Sequence, residues 1–125
     1  MPDENQMRFG PVFRATRWTD ALRVGIIGQR TDAGGFLFYP LSMDAGPRGR
    51  MYVLDAGNAR IVVFDRDGEY ITEFGSAASG DGQFDFGTDE PIGGGLNFSG
   101  SIAVDDDGFI YVADVGNGRI QKFAP

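Results

Sequence analysis

The sequence predicts an all-β fold built from repeated antiparallel sheets, and two observations support this. The segment Met51–Ile61 (MYVLDAGNARI) returns without a gap as Ile110–Ile120 (IYVADVGNGRI), 59 positions later. Short apolar runs alternate with Gly/Asp/Asn clusters in a chain that contains 20 glycines and 11 phenylalanines, as expected for short strands joined by tight turns. One repeat unit rarely buries its own apolar faces, so the repeat indicates a larger array whose neighbouring units cover one another.

The region from Leu41 to Phe74 predicts one complete antiparallel sheet of four strands. Clusters rich in glycine, proline and asparagine separate the apolar runs, and such clusters favour tight turns. Because the connections are short, consecutive strands are expected to pair as a meander. The expected strands are Leu41–Ala45, Arg50–Leu54, Ile61–Phe64 and Tyr70–Phe74.

Two partial units flank this sheet. On the N-terminal side, Leu22–Ile27 matches the fourth strand of the complete unit, and Val12–Trp18 is a further candidate strand. The C-terminal unit is predicted to stop after three strands, at Ser101–Val104, Phe109–Ala113 and Arg119–Phe123. The chain is therefore expected to begin within one unit, contain one complete unit and end within a third.

The repeated motif Asp-x-Gly-Asn-x-Arg is explained by hairpin geometry without a ligand. Gly57-Asn58 supplies two residues that tolerate positive φ, as a two-residue hairpin turn requires. Such a turn sets Asp55 opposite Arg60, and an opposite-charge pair across two strands contributes about 0.2–1 kcal/mol and helps to fix the register. We therefore assign structural roles to the residues at the matching positions of both units: Tyr52, Asp55, Gly57, Asn58, Arg60, Tyr111, Asp114, Gly116, Asn117 and Arg119.

These residues resemble the NHL repeat, a blade of a β-propeller. The pattern of an apolar strand, an Asp-x-Asp-Gly turn, Ile-Tyr-Val-Ala-Asp and x-Gly-Asn-x-Arg-Ile is nearly complete at Ile102–Phe123, and much of it recurs at Tyr52–Phe64. The connector Phe-Gly-Ser-x-x-Ser-Gly-Asp-Gly-Gln-Phe is present at Phe74–Phe84. The resemblance implies antiparallel four-stranded blades around a central channel, typically about six of them, and a mostly non-enzymatic role as a binding platform.

The resemblance also divides the chain into segments of an incomplete ring. Missing blades would come either from a longer parent chain, of which this sequence is a truncated part, or from homo-oligomerisation, for which a trimer would close about six blades. The predicted segments are an N-terminal segment with one candidate strand at 1–21, the outer strand and connector of a preceding blade at 22–40, a complete blade at 41–86, an inserted Gly-rich loop at 87–97 and a partial blade without its outer strand at 98–125.

Composition argues against several functions. The chain has no cysteine and no histidine, so it lacks a disulfide, a thiolate nucleophile, the commonest general base and the commonest zinc ligand. The net charge of −7 disfavours nucleic-acid binding, which depends on Lys and Arg. No apolar run approaches the ~20 residues of a membrane span. The N-terminus lacks a secretory signal, which predicts a cytoplasmic protein if Met1 is the true start.

The inserted segment is the candidate binding element. It carries Asp89, Glu90 and Asn97, and propeller ligands are often held by loops on one face; a tolerated surface insertion is the alternative. Asp105–Gly108 fits a calcium loop only in part, because Ala103 stands where the first ligand is needed, and a turn is the better interpretation.

The sequence therefore favours a non-catalytic, acidic propeller segment that serves as a scaffold for binding a protein or a small ligand. No catalytic residue, cofactor or metal ligand is assigned. The alternative is a fragment of a lactonase-like or lyase-like propeller enzyme whose catalytic residues lie outside this chain.

Overall fold

The computed structural model describes residues 27–28, 36–92 and 95–125, and the regular structure within them consists of β-strands and short 3₁₀ turns. The candidate strand at Val12–Trp18 lies outside the described residues. So does the candidate strand at Leu22–Ile27, apart from Ile27 itself, which is not in a strand. Within the described ranges, no helix has the length and apolarity needed to cross a bilayer.

The first sheet is a four-stranded antiparallel meander in which each strand pairs with its neighbours in sequence. All four strands lie within one residue of their predicted bounds, because the Gly- and Pro-containing turns fix where each apolar run begins and ends. The strands are β1 (Pro40–Ala45), β2 (Met51–Asp55), β3 (Arg60–Phe64) and β4 (Tyr70–Phe74).

The segment that follows the first sheet contains two short strand pairs. A parallel pair, β5 (Ser76–Ala77) with β6 (Gln83–Phe84), folds the connector back on itself. An antiparallel pair, β7 (Gly87–Ile92) with β8 (Gly95–Phe98), comes next. The region predicted as a Gly-rich loop at 87–97 is thus a β-hairpin that ends one residue later, because residues at its two ends pair through their backbones.

The second large sheet repeats the arrangement of the first and contains three strands, as the sequence predicts. Its middle strand pairs with both others in antiparallel register. The strands are β9 (Ser101–Val104), β10 (Ile110–Asp114) and β11 (Arg119–Phe123). The sheet formed by β9, β10 and β11 is called the second sheet below. The fold is therefore all-β, with the antiparallel blades of an incomplete β-propeller ring.

The turn that joins β2 to β3 differs from the predicted two-residue turn. Ala56–Asn58 forms a 3₁₀ turn, and the positive φ of 50° falls on Ala59 rather than on Gly57 or Asn58. Asp55 still pairs with Arg60, because a four-residue loop preserves the same register. The second sheet follows the same rule, with the positive φ of 64° at Gly118.

The main core lies between the two sheets and is completed by the connector. Leu54 and Ile61 from the first sheet and Val112 from the second are fully buried in one cluster. Phe84 and Phe86 enter this cluster from the connector, with their rings stacked at 5.0 Å between centroids. Neither sheet encloses this core alone, so the sheets and the connector fold as one packed body.

Candidate functional site

The sheets have two ends, and the repeated motif lies at one of them. The motif end carries the β2–β3 and β10–β11 turns, whereas the opposite end, called the turn end, carries the β1–β2, β3–β4 and β9–β10 turns. The connectors that lead into β1 and toward β9 pass across the motif end, as the hydrogen bonds from Phe38 and Asp85 to the motif show. The repeated motif and the connectors therefore meet at the motif end, and the candidate site lies there.

In the first sheet, the motif aspartate holds the connector. The fully buried carboxylate of Asp55 accepts hydrogen bonds from the Phe38 backbone N–H at 2.7 Å, from Asn58 Nδ2 at 2.9 Å and from Arg60 Nε at 2.7 Å. The guanidinium of Arg60 also donates to the Phe36 carbonyl oxygen and to Glu73 on β4. We call this arrangement a connector clamp.

The second sheet contains an equivalent clamp. Asp114, also fully buried, accepts hydrogen bonds from the Asp85 backbone N–H at 2.8 Å, from Asn117 Nδ2 at 3.0 Å and from Arg119 Nε at 2.9 Å. Gln121 Nε2 adds a fourth bond at 3.2 Å. The motif aspartate therefore accepts the same three hydrogen bonds in both sheets, from a connector N–H, the motif asparagine and the motif arginine.

The motif glycine is required by close approach of the connector rather than by its own φ angle. The Gly57 N–H donates to the Phe38 carbonyl oxygen at 2.8 Å, and the Gly116 N–H donates to the Asp85 carbonyl oxygen at 2.8 Å. A Cβ atom on either glycine would overlap that carbonyl oxygen. Any larger residue would push the connector away from the hairpin.

Two carboxyl groups, Asp114 in the second clamp and Glu73 beside the first, have a lowered pKa. Burial acts to raise the pKa of Asp114, but the hydrogen bonds from the Asp85 N–H, Asn117 and Arg119 outweigh it, and the pKa is lowered. At the edge of the first clamp, Glu73 accepts hydrogen bonds from Arg60 and from the Tyr70 hydroxyl, and these bonds lower its pKa against the opposing effect of burial. Both carboxylates are therefore held in their charged form.

Both carboxylate oxygens of each motif aspartate accept hydrogen bonds from the protein itself. In each clamp, one carboxylate oxygen accepts the connector N–H and the other accepts the Asn and Arg donors. Among the described residues, no buried side-chain polar atom lacks a hydrogen-bond partner, and no group of three or more acidic side chains is placed to hold a metal ion. The arrangement therefore orders the backbone of the hairpin and of the connector.

The two motif tyrosines lie away from the clamps, near the turn end. Tyr52 is buried in the core between the sheets. Tyr111 is half-buried, and its hydroxyl donates to Asp105 Oδ2 at 3.0 Å. The same Asp105 accepts the backbone N–H groups of Asp107 and Phe109, as expected for an aspartate that closes a turn.

The inserted hairpin stands at the motif end and is anchored at its base. The Ser99 N–H donates to the Phe86 carbonyl oxygen at 2.8 Å, which closes the insertion. Phe98 packs on Tyr39, with 4.7 Å between ring centroids, and contacts Phe38 edge-on at 6.4 Å. These contacts fix the hairpin base to the connector of the first sheet.

The three candidate binding residues share this hairpin. Asp89 and Glu90 lie in β7, and Asn97 lies in β8 opposite Thr88. Beside the hairpin base, a groove of about 460 Å³ is lined by residues that include Ala59, Asp85 and Asn117. The structure thus places the three candidate residues on one hairpin, and Gly87 at the base of this hairpin lines the groove.

The connector positions Phe38 and Asp85 were not predicted as part of the motif, although a signal for them exists. Each residue contributes only backbone groups to its clamp, so the clamp does not require a particular side chain that could be recognised in the sequence. Phe38 lies 17 residues before its aspartate and Asp85 lies 29 residues before its own. The two separations differ by 12 residues, which is the length of the insertion Gly87–Phe98. Aligning the two units with the insertion left out would therefore have matched Phe38 to Asp85.

Stacked antiparallel sheets that each clamp the incoming connector with the same buried aspartate define consecutive blades of a β-propeller. Residues 97–123 match the NHL repeat family, which places an NHL repeat in this chain. The chain is also similar to the RING finger protein nhl-1 of Caenorhabditis elegans, with 33% identity over 60 residues. That similarity covers 48% of this chain and 6% of the length of the relative.

Proposed function

We propose that this chain is a non-catalytic propeller segment that binds a protein partner through the inserted hairpin Gly87–Phe98 at the motif end. The observation that carries the proposal is the insertion itself. Equivalent positions of the two units are 47 residues apart when the second lies before the insertion, as for Phe38 and Asp85. They are 59 residues apart when the second lies after it, as for Asp55 and Asp114, so the insertion adds twelve residues to the repeat. A loop carried on a rigid scaffold is where binding residues concentrate.

Charge supports a basic partner. Residues 67–118 contain 11 acidic residues and no lysine or arginine, and the hairpin lies within this stretch. An acidic surface raises the local concentration of a positively charged partner and speeds its association. Asp89 and Glu90 are the residues of the hairpin that would contribute this charge.

The test is removal of the hairpin by joining Phe86 directly to Ser99. This junction suits the fold because the Ser99 N–H already donates to the Phe86 carbonyl oxygen. We expect the excised variant to remain folded and to lose at least tenfold in affinity for a fluorescein-labelled, lysine-rich 12-residue peptide, measured by fluorescence anisotropy. Unchanged affinity would contradict the proposal.

A pair of charge variants separates the hairpin from general electrostatic attraction. Glu90→Gln removes one charge from the hairpin, whereas Asp81→Asn removes one from the exposed connector between β5 and β6. The hairpin variant should weaken peptide binding several-fold more than the control variant. Equal losses would mean that the peptide recognises net charge alone.

We further propose that the outer face of the second sheet receives another blade, supplied by a longer parent chain or by a second copy of this one. Ile61 and Ile120 occupy the same repeat position, yet Ile61 is fully buried by the neighbouring sheet and Ile120 is 73% exposed. Light scattering distinguishes the two sources. If the wild type is a trimer and Ile120→Glu dissociates it, the next blade comes from a second copy of this chain. If the wild type is a monomer, the next blade belongs to a longer parent chain.

A further inference from the structure

A groove at the turn end, opposite the inserted hairpin, has the features of a second binding site. It has a volume of about 320 Å³ and lies between the β1–β2 turn and the β9–β10 turn. Its lining includes Pro47, Arg48 and Arg50 on one side and Asp107 and Gly108 on the other. The site is therefore formed by two neighbouring blades and does not exist in either alone.

Two arginines in this groove have no partner in the described part of the chain. Of the six basic residues described, Arg60 and Arg119 form ion pairs within the clamps, Lys122 lies over the Phe109 ring at 4.5 Å, and Arg66 lies outside the groove lining. Arg48 and Arg50 take part in no side-chain hydrogen bond or ion pair with described residues. Two guanidinium groups that no described side chain engages thus line one groove, and guanidinium groups are well suited to bind an anion.

The backbone at Arg48 is strained, and the strain points to a role for its side chain. Arg48 has φ 65° and ψ 18°, in the left-handed region that favours glycine. A non-glycine residue there costs on the order of 1 kcal/mol, and such outliers cluster at ligand sites. Fold stability alone would therefore favour glycine at this position.

Acidic turns border the two arginines. Asp105, Asp106 and Asp107 form the β9–β10 turn on one side. On the other side, the β3–β4 turn carries Asp65, Asp67 and Glu69, and it approaches Gly49 closely enough that a Cβ there would lie 3.0 Å from the Arg66 Cβ. The groove is a small positive site within a negative rim.

We propose that this groove binds the carboxylate of a partner peptide in which one acidic residue is flanked by basic residues. The arginines supply planar, paired donors that match a carboxylate. The acidic turns attract the basic flanks of such a peptide and repel an extended polyanion. This site is separate from the hairpin at the motif end, so either can fail without the other.

The probe is an acetylated, amidated peptide of sequence Lys-Lys-Gly-Glu-Gly-Lys-Lys, titrated into the full chain by calorimetry. We expect Arg48→Gly and Arg50→Gln each to weaken binding at least tenfold, about the effect of losing one charge-assisted hydrogen bond. Arg48→Gly should also leave the thermal unfolding midpoint equal or higher, because glycine suits the backbone. Arg66→Gln, at the same end but outside the groove lining, is the matched control and should change affinity less than twofold.

Comparison peptides test the chemistry. Replacing the central Glu with Gln should abolish the contribution of both arginines, and a poly-glutamate peptide should bind more weakly than the probe. The proposal is wrong if the Gln peptide binds as tightly as the Glu peptide, if poly-glutamate or inorganic phosphate binds more tightly, or if Arg48→Gly leaves the affinity unchanged.

Discussion

At the scale of single residues, the motif aspartate joins segments that are far apart in sequence. Pairing of Asp55 with Arg60 and of Asp114 with Arg119 sets the hairpin register. The same carboxylates also accept the backbone N–H of a connector 17 or 29 residues earlier. The motif thus orders the entry of the chain into each blade as well as the turn within it.

The first prediction concerns the pH dependence of stability at Asp114. Its pKa is lowered in the fold, below the value of about 3.9 that an unfolded Asp has. Its contribution is therefore fully present above that unfolded value and is lost as the pH falls through the lower folded pKa. In Asp114→Asn, the amide nitrogen would meet the donors of Asn117 and Arg119, so the variant should be less stable at neutral pH.

Urea unfolding between about pH 2 and pH 7 measures this effect. The difference in unfolding free energy between wild type and Asp114→Asn should shrink below about pH 4 as the wild-type carboxylate takes up its proton. Asp106→Asn is the control, because Asp106 is exposed and makes no hydrogen bond within the described residues. A difference that stays constant across this range would contradict the assigned ionisation.

The second prediction uses the left-handed position that ends each motif turn. Gly118 has φ 64°, and a methyl group added there would meet nothing within 4 Å, so Gly118→Ala should cost about 1 kcal/mol through backbone strain alone. Ala59 occupies the matching position with φ 50°. Ala59→Gly should be stabilising by a smaller amount, because the Ala59 methyl group also packs against the core. Denaturant midpoints of the two variants should move in opposite directions, and shifts of the same sign would refute this account of the turn.

At the scale of elements, the insertion is a hairpin with a specific anchor. Sequence alone suggested a loop, because Gly93-Gly-Gly95 and nearby polar residues favour turns. The hairpin forms because its ends pair, with Gly87 opposite Phe98, and because Phe98 packs on the aromatic residues of the first connector. Tertiary contact therefore decided the structure of this element.

The third prediction tests that anchor. Phe98→Ala should destabilise the fold by about 1–2 kcal/mol, less than the roughly 3–5 kcal/mol typical of a fully buried Phe, because Phe98 is half-buried. Chemical shifts of Tyr39 and of the hairpin amides should change more than those of β10. Thr88→Ala, an exposed change in the same hairpin, is the control and should stay within about 0.5 kcal/mol. Equal costs for the two variants would mean that Phe98 does not hold the hairpin.

At the scale of the whole molecule, the core between the sheets makes the two blades interdependent. Leu54, Ile61 and Val112 belong to one cluster, and Phe84 fills the space between them from the connector. Strand β1 of the first sheet and strand β9 of the second are also joined directly, since the Val104 N–H donates to Asp44 Oδ2 at 2.7 Å. Unfolding of one sheet exposes the inner face of the other.

The fourth prediction is that both sheets unfold in one cooperative step. Native-state hydrogen exchange should give the most protected amides of β2, β3 and β10 the same free energy of opening. Phe84→Ala should lower all of them together, by about 4 kcal/mol, because Phe84 is fully buried. Loss of protection confined to one sheet would show that the sheets are independent units.

Most strands of the fold could be predicted because their signals are local. Apolar runs and turn residues locate all seven strands of the two blades to within one residue. The site was less predictable for a physical reason. The clamps are completed by backbone groups of Phe38 and Asp85, which any residue type could supply. The groove at Arg48 is formed by two turns that lie nearly 60 residues apart in the sequence.

The sequence by itself determined the repeat, the positions of the strands and the pairing of Asp55 with Arg60, because strand pairing across short turns depends on neighbours in the chain. Only the tertiary structure decided that the motif aspartate clamps a distant connector, that the insertion is an anchored hairpin and that Arg48 and Arg50 lie in a groove between blades without a partner among the described residues. These features depend on contacts between separate segments, which packing of the two sheets brings together.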